Sequence, residues 1–245
     1  MELGIDAALP VSLKADKQIY ARPESGTAVS VRRFPDRKSL DETLRQREEL
    51  LAELGDCPWL NLPRRQRVHT LADGCALVEE MLLARSDGPR QTWERDLLNG
   101  VAAMHRSGWA HMDIKPEHLL WADGHWRLHD LDGAMRIGTR FQRRDVTYAY
   151  APPDALWHDR ADARDDLYAV ALMLYARQNH SRLPFERNSE RRATALRWIV
   201  PWIPVPGEWG REARFFYRRA LARFRRNRFQ TAEELMDAWN RLKTK

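Results

Sequence analysis

The stretch His111-Met112-Asp113-Ile114-Lys115-Pro116-Glu117-His118-Leu119-Leu120 constrains this chain more than any other, because it gathers ionisable side chains in one loop. A helix patterned by Leu97, Leu98, Val101 and Met104 leads into it and ends at Gly108, a residue suited to a helix C-cap. Asp130-Leu131-Asp132-Gly133 follows after a hairpin turned around Asp123-Gly124. Carboxylates are thus brought together at a helix exit.

The first stretch resembles the catalytic loop of protein kinases, H-R-D-x-K-P-x-x-N-L-L, and the second resembles their metal-binding D-F-G. The resemblance implies an α+β, two-lobed protein-kinase-like fold in a single domain spanning residues 1–245. A small antiparallel sheet with one helix would form the N-lobe, about residues 1–82, and a mostly helical C-lobe would take about 83–245. It also implies ATP as phosphoryl donor with Mg2+ or Mn2+. Asp113 would accept or orient the acceptor hydroxyl proton, Lys115 would stabilise charge on the transferring group, and Asp130 would bind the metal. Thr147 to Asp154 resembles T-x-x-Y-x-A-P-E with a shorter acid at its end, and Arg225-Arg226-Asn227-Arg228-Phe229 resembles the segment whose arginine pairs with that acid. A structural Asp154–Arg228 ion pair is expected, since guanidinium and carboxylate pair bidentately. Asp166 corresponds to the acid that holds the catalytic-loop backbone, and His111 to the loop's structural histidine.

The departures from the family pattern are concentrated early in the chain. No G-x-G-x-x-G occurs between residues 11 and 20, and Val29-Ser30-Val31-Arg32 carries arginine where V-A-I-K has lysine. Lys17, or failing that Lys14, is either the cation that reaches the phosphates instead, with Glu48 as its helix partner, or a solvated hairpin lysine; Arg32 is the rival. Leu77 to Leu82 resembles the strand and hinge that grip adenine, which assigns Glu80 and Met81 to that task and leaves an unexpected acid at Glu79. His118 replaces the second metal-binding asparagine. It is either a softer ligand favouring manganese or zinc, or a loop histidine satisfied by a backbone carbonyl. Asp132 is either a further metal carboxylate or a solvated acid. Met112 stands where regulated kinases have the arginine that reads a phosphorylated loop, so activity independent of loop phosphorylation is expected.

The rest of the pattern fits that plan. Strands are expected at 17–21 and 27–31 around a turn at 23–26, and at 67–72 and 75–81 around Asp73-Gly74. A helix capped by Ser39 should run to Leu54 and present Leu44, Glu48, Leu51 and Leu54 on one face. Further helices are expected at 92–108, 165–178, 190–200, 210–225 and 231–242. The balance of 41 Lys plus Arg against 35 Asp plus Glu, net +6, suits phosphates, an acidic substrate or peripheral membrane contact, or is simply a solvated surface. The pairs Arg64-Arg65, Arg143-Arg144, Arg191-Arg192 and Arg225-Arg226 either recruit an anionic partner or, for most of them, read as solvated helix and loop faces. Cys57 and Cys75 lack a disulfide or metal spacing, which suits free thiols in a reducing, cytoplasmic setting. No apolar run approaches the roughly 20 residues needed to span a bilayer, and no secretion signal is expected.

The resulting expectation is transfer of the terminal phosphate of ATP to a Ser/Thr hydroxyl of a protein substrate, with no nucleic-acid partner. Two alternatives remain at this level: a kinase of an envelope glycolipid or lipopolysaccharide hydroxyl, and a pseudokinase that serves as a binding scaffold.

Overall fold

The structure is a computed structural model, and it describes residues 9–14, 16–140, 147, 149–185, 198–200 and 202–243. The chain forms two compact units. One runs to Arg90 and takes in Leu120–His129, and the other holds Gln91–Leu119 and continues from Asp130.

The first unit is built on five strands, β1 (Leu9–Leu13), β2 (Lys17–Arg22), β3 (Thr27–Phe34), β4 (Arg65–Leu71) and β5 (Gly74–Leu82). They pair antiparallel in the order β1-β2-β3-β5-β4. Alternation along β3 sorts its side chains onto two faces. Val29 and Val31 pack with Ala76 and Val78 on one, whereas Phe34 packs with Cys75, Leu77, Leu40 and Leu44 on the other, under helix α1 (Arg37–Leu54). The turn at Gly74 admits only glycine, because an added Cβ at its φ of 149° would lie 2.2 Å from the Phe34 carbonyl oxygen. Between β1 and β2 the chain turns tightly, with the Lys14 N–H donating to the Lys17 carbonyl at 3.0 Å.

Helix α1 begins two residues ahead of Ser39, because Asp36 is the cap: its carboxylate accepts the Ser39 N–H at 2.7 Å. The buried positions of α1 are Leu40, Arg47 and Leu50, and Leu44 packs on the cluster that includes Leu40. Glu48, expected on that apolar face, is exposed. Positions 40 and 47 lie two turns apart on one line, and one further residue turns the side chain about 100° away.

In the second unit, α2 (Trp93–Arg106) precedes the short strand β6 (Trp109–Ala110), which pairs with β9 (Met135–Arg136). The hairpin of β7 (Leu119–Ala122) and β8 (His125–Leu128) lies between them in sequence, and from Leu120 it belongs to the first unit. Helix α3 (Ala163–Gln178) is buried on every side from Asp165 to Tyr175. This is why its sequence shows a continuous apolar run rather than a stripe. Tyr175 meets Tyr217 of α4 (Gly210–Ala220) edge-on at 5.3 Å, and Phe216 of α4 meets Trp239 of α5 (Ala232–Lys243) at 5.6 Å. Helix α4 stops short of the expected residue 225, and a single 3-10 turn covers Arg225–Asn227. The helix expected at 190–200 falls mostly outside the described residues, as do Arg143-Arg144 and Arg191-Arg192. Both cysteines are buried and free, and among the described residues no helix is long and apolar enough to cross a membrane.

Candidate active site

The polar loop after β6 is held from beneath by a buried acid of α3. The Asp166 carboxylate, 2% exposed, accepts the His111 N–H at 2.7 Å and the Met112 N–H at 2.8 Å, and lies 2.9 Å from His105 Nε2. Met112 adopts a φ of 69°, a conformation that costs an ordinary side chain energy. Two charge-assisted bonds to adjacent backbone amides offset that cost and fix where the next residue points. That residue is Asp113, whose own N–H donates to His111 Nδ1 at 3.3 Å.

Asp113 collects an ammonium and an alcohol. Lys115 Nζ lies 2.7 Å from Oδ2, the Thr147 hydroxyl donates to Oδ1 at 2.6 Å, and Lys115 Nζ also donates to the Thr147 oxygen at 3.2 Å. Burial raises the pKa of Asp113, but the bonds from Lys115 and Thr147 outweigh it and hold the carboxyl below its ordinary value. The group is an ionised acceptor already receiving an alcohol proton along a short hydrogen bond.

His118 joins this loop to Asp130. Its Nδ1 lies 2.9 Å from the Asp113 carbonyl oxygen and its Nε2 3.3 Å from Asp130 Oδ2. Burial pushes the imidazole down, against the upward pull of Asp130, and the ring is therefore neutral near pH 7. A neutral ring that donates from Nδ1 to a carbonyl turns the lone pair of Nε2 toward a carboxylate, an arrangement that a cation between them would relieve. Bonds of about 2.1 Å at right angles place two donors about 3 Å apart, so the pair fits a divalent ion. Both readings of His118, backbone-satisfied and metal-facing, thus apply to different nitrogens of one ring. Among the described residues no three His, Cys, Asp or Glu side chains form a group able to hold a metal, so Asp132 does not complete such a set.

Behind the loop lies an ionic network. Arg228 Nη2 is 2.5 Å from Asp154 Oδ1, and the Arg225 N–H donates to the other oxygen at 2.8 Å. Arg225 also grips Asp165 with Nε at 2.9 Å and Nη2 at 2.6 Å. Arg225 is 7% exposed, which corrects its reading as part of a solvated face. Asp165 looks like a helix N-terminal acid in sequence, and nothing local identifies its partner.

The first unit holds the remaining predicted residues. Lys17 and Arg32 are direct cross-strand partners on β2 and β3, so the two rival cations occupy one face of the sheet. The Arg32 guanidinium lies 5.3 Å from the Phe34 ring centroid on that face. Glu48 takes no part in the helix-to-sheet ion pair, which is formed one residue earlier. Arg47 Nη2 donates to Glu79 Oε2 at 3.2 Å, Arg47 Nε is 3.1 Å from Oε1, and Gln66 donates to Oε1 at 2.7 Å. The unexpected acid at Glu79 is therefore a buried partner of α1. Glu80 and Met81 lie within β5, opposite Val29 and Ala28; the Glu80 carbonyl accepts the Arg64 N–H at 2.7 Å and its side chain pairs with Arg22 at 3.4 Å.

Comparison with known proteins accords with this geometry. A family model described as the protein kinase domain matches residues 75–239, more than half of the chain. The match begins after the stretch in which the glycine loop and strand lysine are missing. Serine/threonine-protein kinase PknL of Mycobacterium tuberculosis is 36% identical over 107 residues, covering 40% of this chain and 27% of that protein. Probable serine/threonine-protein kinase pknA2 of Bifidobacterium longum is 31% identical over 100 residues, 38% of this chain and 13% of that protein. Serine/threonine-protein kinase Kist of Mus musculus is 29% identical over 102 residues, 39% of this chain and 24% of that protein. The chain thus spans about a quarter or less of these relatives. With an acid-held polar loop, a carboxylate engaging an alcohol and a matching domain model, the chain belongs to the protein kinase domain family.

Proposed function

We propose that this chain transfers the terminal phosphoryl group of ATP to a serine or threonine hydroxyl of a protein. The observation that carries the reading is the Asp113–Thr147–Lys115 cluster, in which an alcohol donates to an ionised carboxylate beside an ammonium. In the reaction the acceptor oxygen forms a bond to phosphorus while the bond from phosphorus to the bridging oxygen of ATP breaks, and Asp113 takes the hydroxyl proton. Lys115 offsets negative charge as the proton leaves. Asp130 and His118 would hold a divalent cation, which neutralises the terminal phosphates when bound. Lys17 and Arg32, side by side on the sheet, are the cations this chain offers to phosphate oxygens. The names of the three relatives described above, each a serine/threonine-protein kinase, favour a protein acceptor over an envelope glycolipid.

Incubation with γ-labelled ATP, a divalent metal and generic protein substrates tests this directly. Asp113→Asn should lower label transfer by roughly 10²- to 10⁴-fold, the range attributed to a positioned base, while nucleotide still raises the thermal midpoint. Transfer undiminished in Asp113→Asn would remove that residue from the reaction. The tight β1–β2 turn and Arg32 in place of the strand lysine favour a second reading, a scaffold without turnover. No thermal shift with any ATP–metal combination would support it.

A further inference from the structure

An exposed aromatic pair flanked by arginines lies on the second unit, apart from the residues assigned to phosphoryl transfer. Trp157 is 57% exposed and Phe224 40% exposed, yet their ring centroids are 6.1 Å apart. Large apolar side chains rarely remain in water together without a partner to cover them. The Arg223 guanidinium lies 5.0 Å from the Trp157 centroid and 6.0 Å from that of Phe224, and the Arg226 guanidinium lies 5.2 Å from that of Phe224. Arg223 also reaches the carbonyl of Ile199 at 3.4 Å, and the Ile199 side chain is 70% exposed.

The patch is rigid because of what lies beneath it. Trp157 follows Asp154 by three residues, and Phe224 immediately precedes Arg225. These two segments are joined below the surface by the Asp154–Arg228 ion pair and by the Arg225 N–H on Asp154. Their aromatic side chains are therefore held in place before any partner arrives, which lowers the ordering cost of association. Trp, Phe and Arg are also the residue types enriched where protein interfaces concentrate their energy.

We infer that Trp157, Phe224, Arg223 and Arg226 form a docking surface for an acidic segment of a partner protein. Charge complementarity decides the occupant. Arg226, exposed beside the Phe224 ring, keeps its N–H edge available for a carboxylate, whereas Arg223 already donates to the Ile199 carbonyl and contributes its charge and ring contacts. The neighbouring exposed acid, Asp159, is already engaged by Arg140 at 2.9 Å. Arg160 adds to the cationic side, although it donates to the Gly138 carbonyl. The aromatic rings in turn call for an apolar residue interspersed among the acids.

The test needs no nucleotide, so its outcome is separate from that of the phosphotransfer assay. Fluorescence anisotropy with a short labelled peptide of alternating glutamate and leucine should show saturable binding by the full chain. Trp157→Ala and Arg226→Glu should each weaken it by about tenfold. Trp157→Phe should retain most of it, and Arg64→Glu, on the other unit, should leave it unchanged. Equal binding of a lysine-and-leucine peptide, or affinity indifferent to both patch variants, would overturn the inference. So would displacement of the acidic peptide by single-stranded oligonucleotide at lower concentration, or a concentration-dependent dimer abolished by Trp157→Ala.

Discussion

At the scale of single residues, His118 is the side chain whose chemistry departs furthest from the family pattern. Its Nδ1 lies 2.9 Å from the Asp113 carbonyl oxygen, while Nε2 lies 3.3 Å from Asp130. The carbonyl fixes the ring as a second-sphere partner fixes a metal-ligating histidine, and the lone pair faces the acid. Imidazole nitrogen is a softer donor than a carboxamide oxygen, and Mg2+ accepts oxygen in preference to nitrogen. The expected consequence is a preference for Mn2+ over Mg2+ in the nucleotide complex, reversed in His118→Asn by about tenfold in the ratio of the two. The check is the thermal midpoint of wild type and variant in ATP titrations with each metal, with label transfer as a second readout. An unchanged metal ratio in His118→Asn would show that Nε2 is not a ligand. Asp113 needs no such replacement. Lys115 and Thr147 hold it ionised, which is the state a proton acceptor requires.

At the scale of elements, the anchor of α1 has reversed polarity: the helix supplies the cation, Arg47, and the strand supplies the acid, Glu79. Both side chains are less than 10% exposed, so removing either one strands a buried charge. Arg47→Met and Glu79→Met should each cost roughly 3–5 kcal/mol, whereas the double substitution should cost far less, because it removes both charges together. Urea unfolding of the three variants measures this as a double-mutant cycle. Simple additivity of the two losses would mean that the pair is not the anchor. The same element shows where sequence reading succeeds and where it stops. Turns announced by Asp73-Gly74 and Asp123-Gly124 are local, and so is the loop from His111 to Leu120, since each carries its own backbone chemistry within a few residues. Arg47 finds Glu79 across 32 residues and Arg225 finds Asp165 across 60. No local pattern separates such arginines from solvated ones, and a single-residue error in helix rotation is enough to exchange Glu48 for Arg47. The Thr147 hydroxyl on Asp113, across 34 residues, was invisible for the same reason.

At the scale of the whole molecule, the titrating groups set a pH window for stability with opposite signs at its two ends. Burial raises Asp162, but the guanidinium and N–H of Arg164 outweigh it and hold the carboxyl low; Asp113 is held low in the same way by Lys115 and Thr147. The Gln230 N–H, with Arg219 behind it, holds Glu234 low. Acids with depressed values in the folded state contribute stability that is fully present above about pH 4 and lost as pH falls through their folded values. At the other end, burial pushes the Tyr175 hydroxyl, which donates to the Pro204 carbonyl at 2.8 Å, up to about 12. It pushes Tyr217 further in the same direction. Phenols with raised values contribute stability that is complete below about pH 10 and lost as pH rises from there. The thermal midpoint should therefore be level from roughly pH 7 to 9 and fall on both sides. It falls first on the acid side, because below about pH 6.5 the unfolded chain protonates His118, which burial holds low in the fold. Tyr175→Phe, which cannot ionise, should start from a lower midpoint for want of the Pro204 bond, yet lose less between pH 10 and 12. A midpoint already declining at pH 8, or an alkaline limb identical in Tyr175→Phe, would mean that ionisation of this buried phenol does not govern the upper edge.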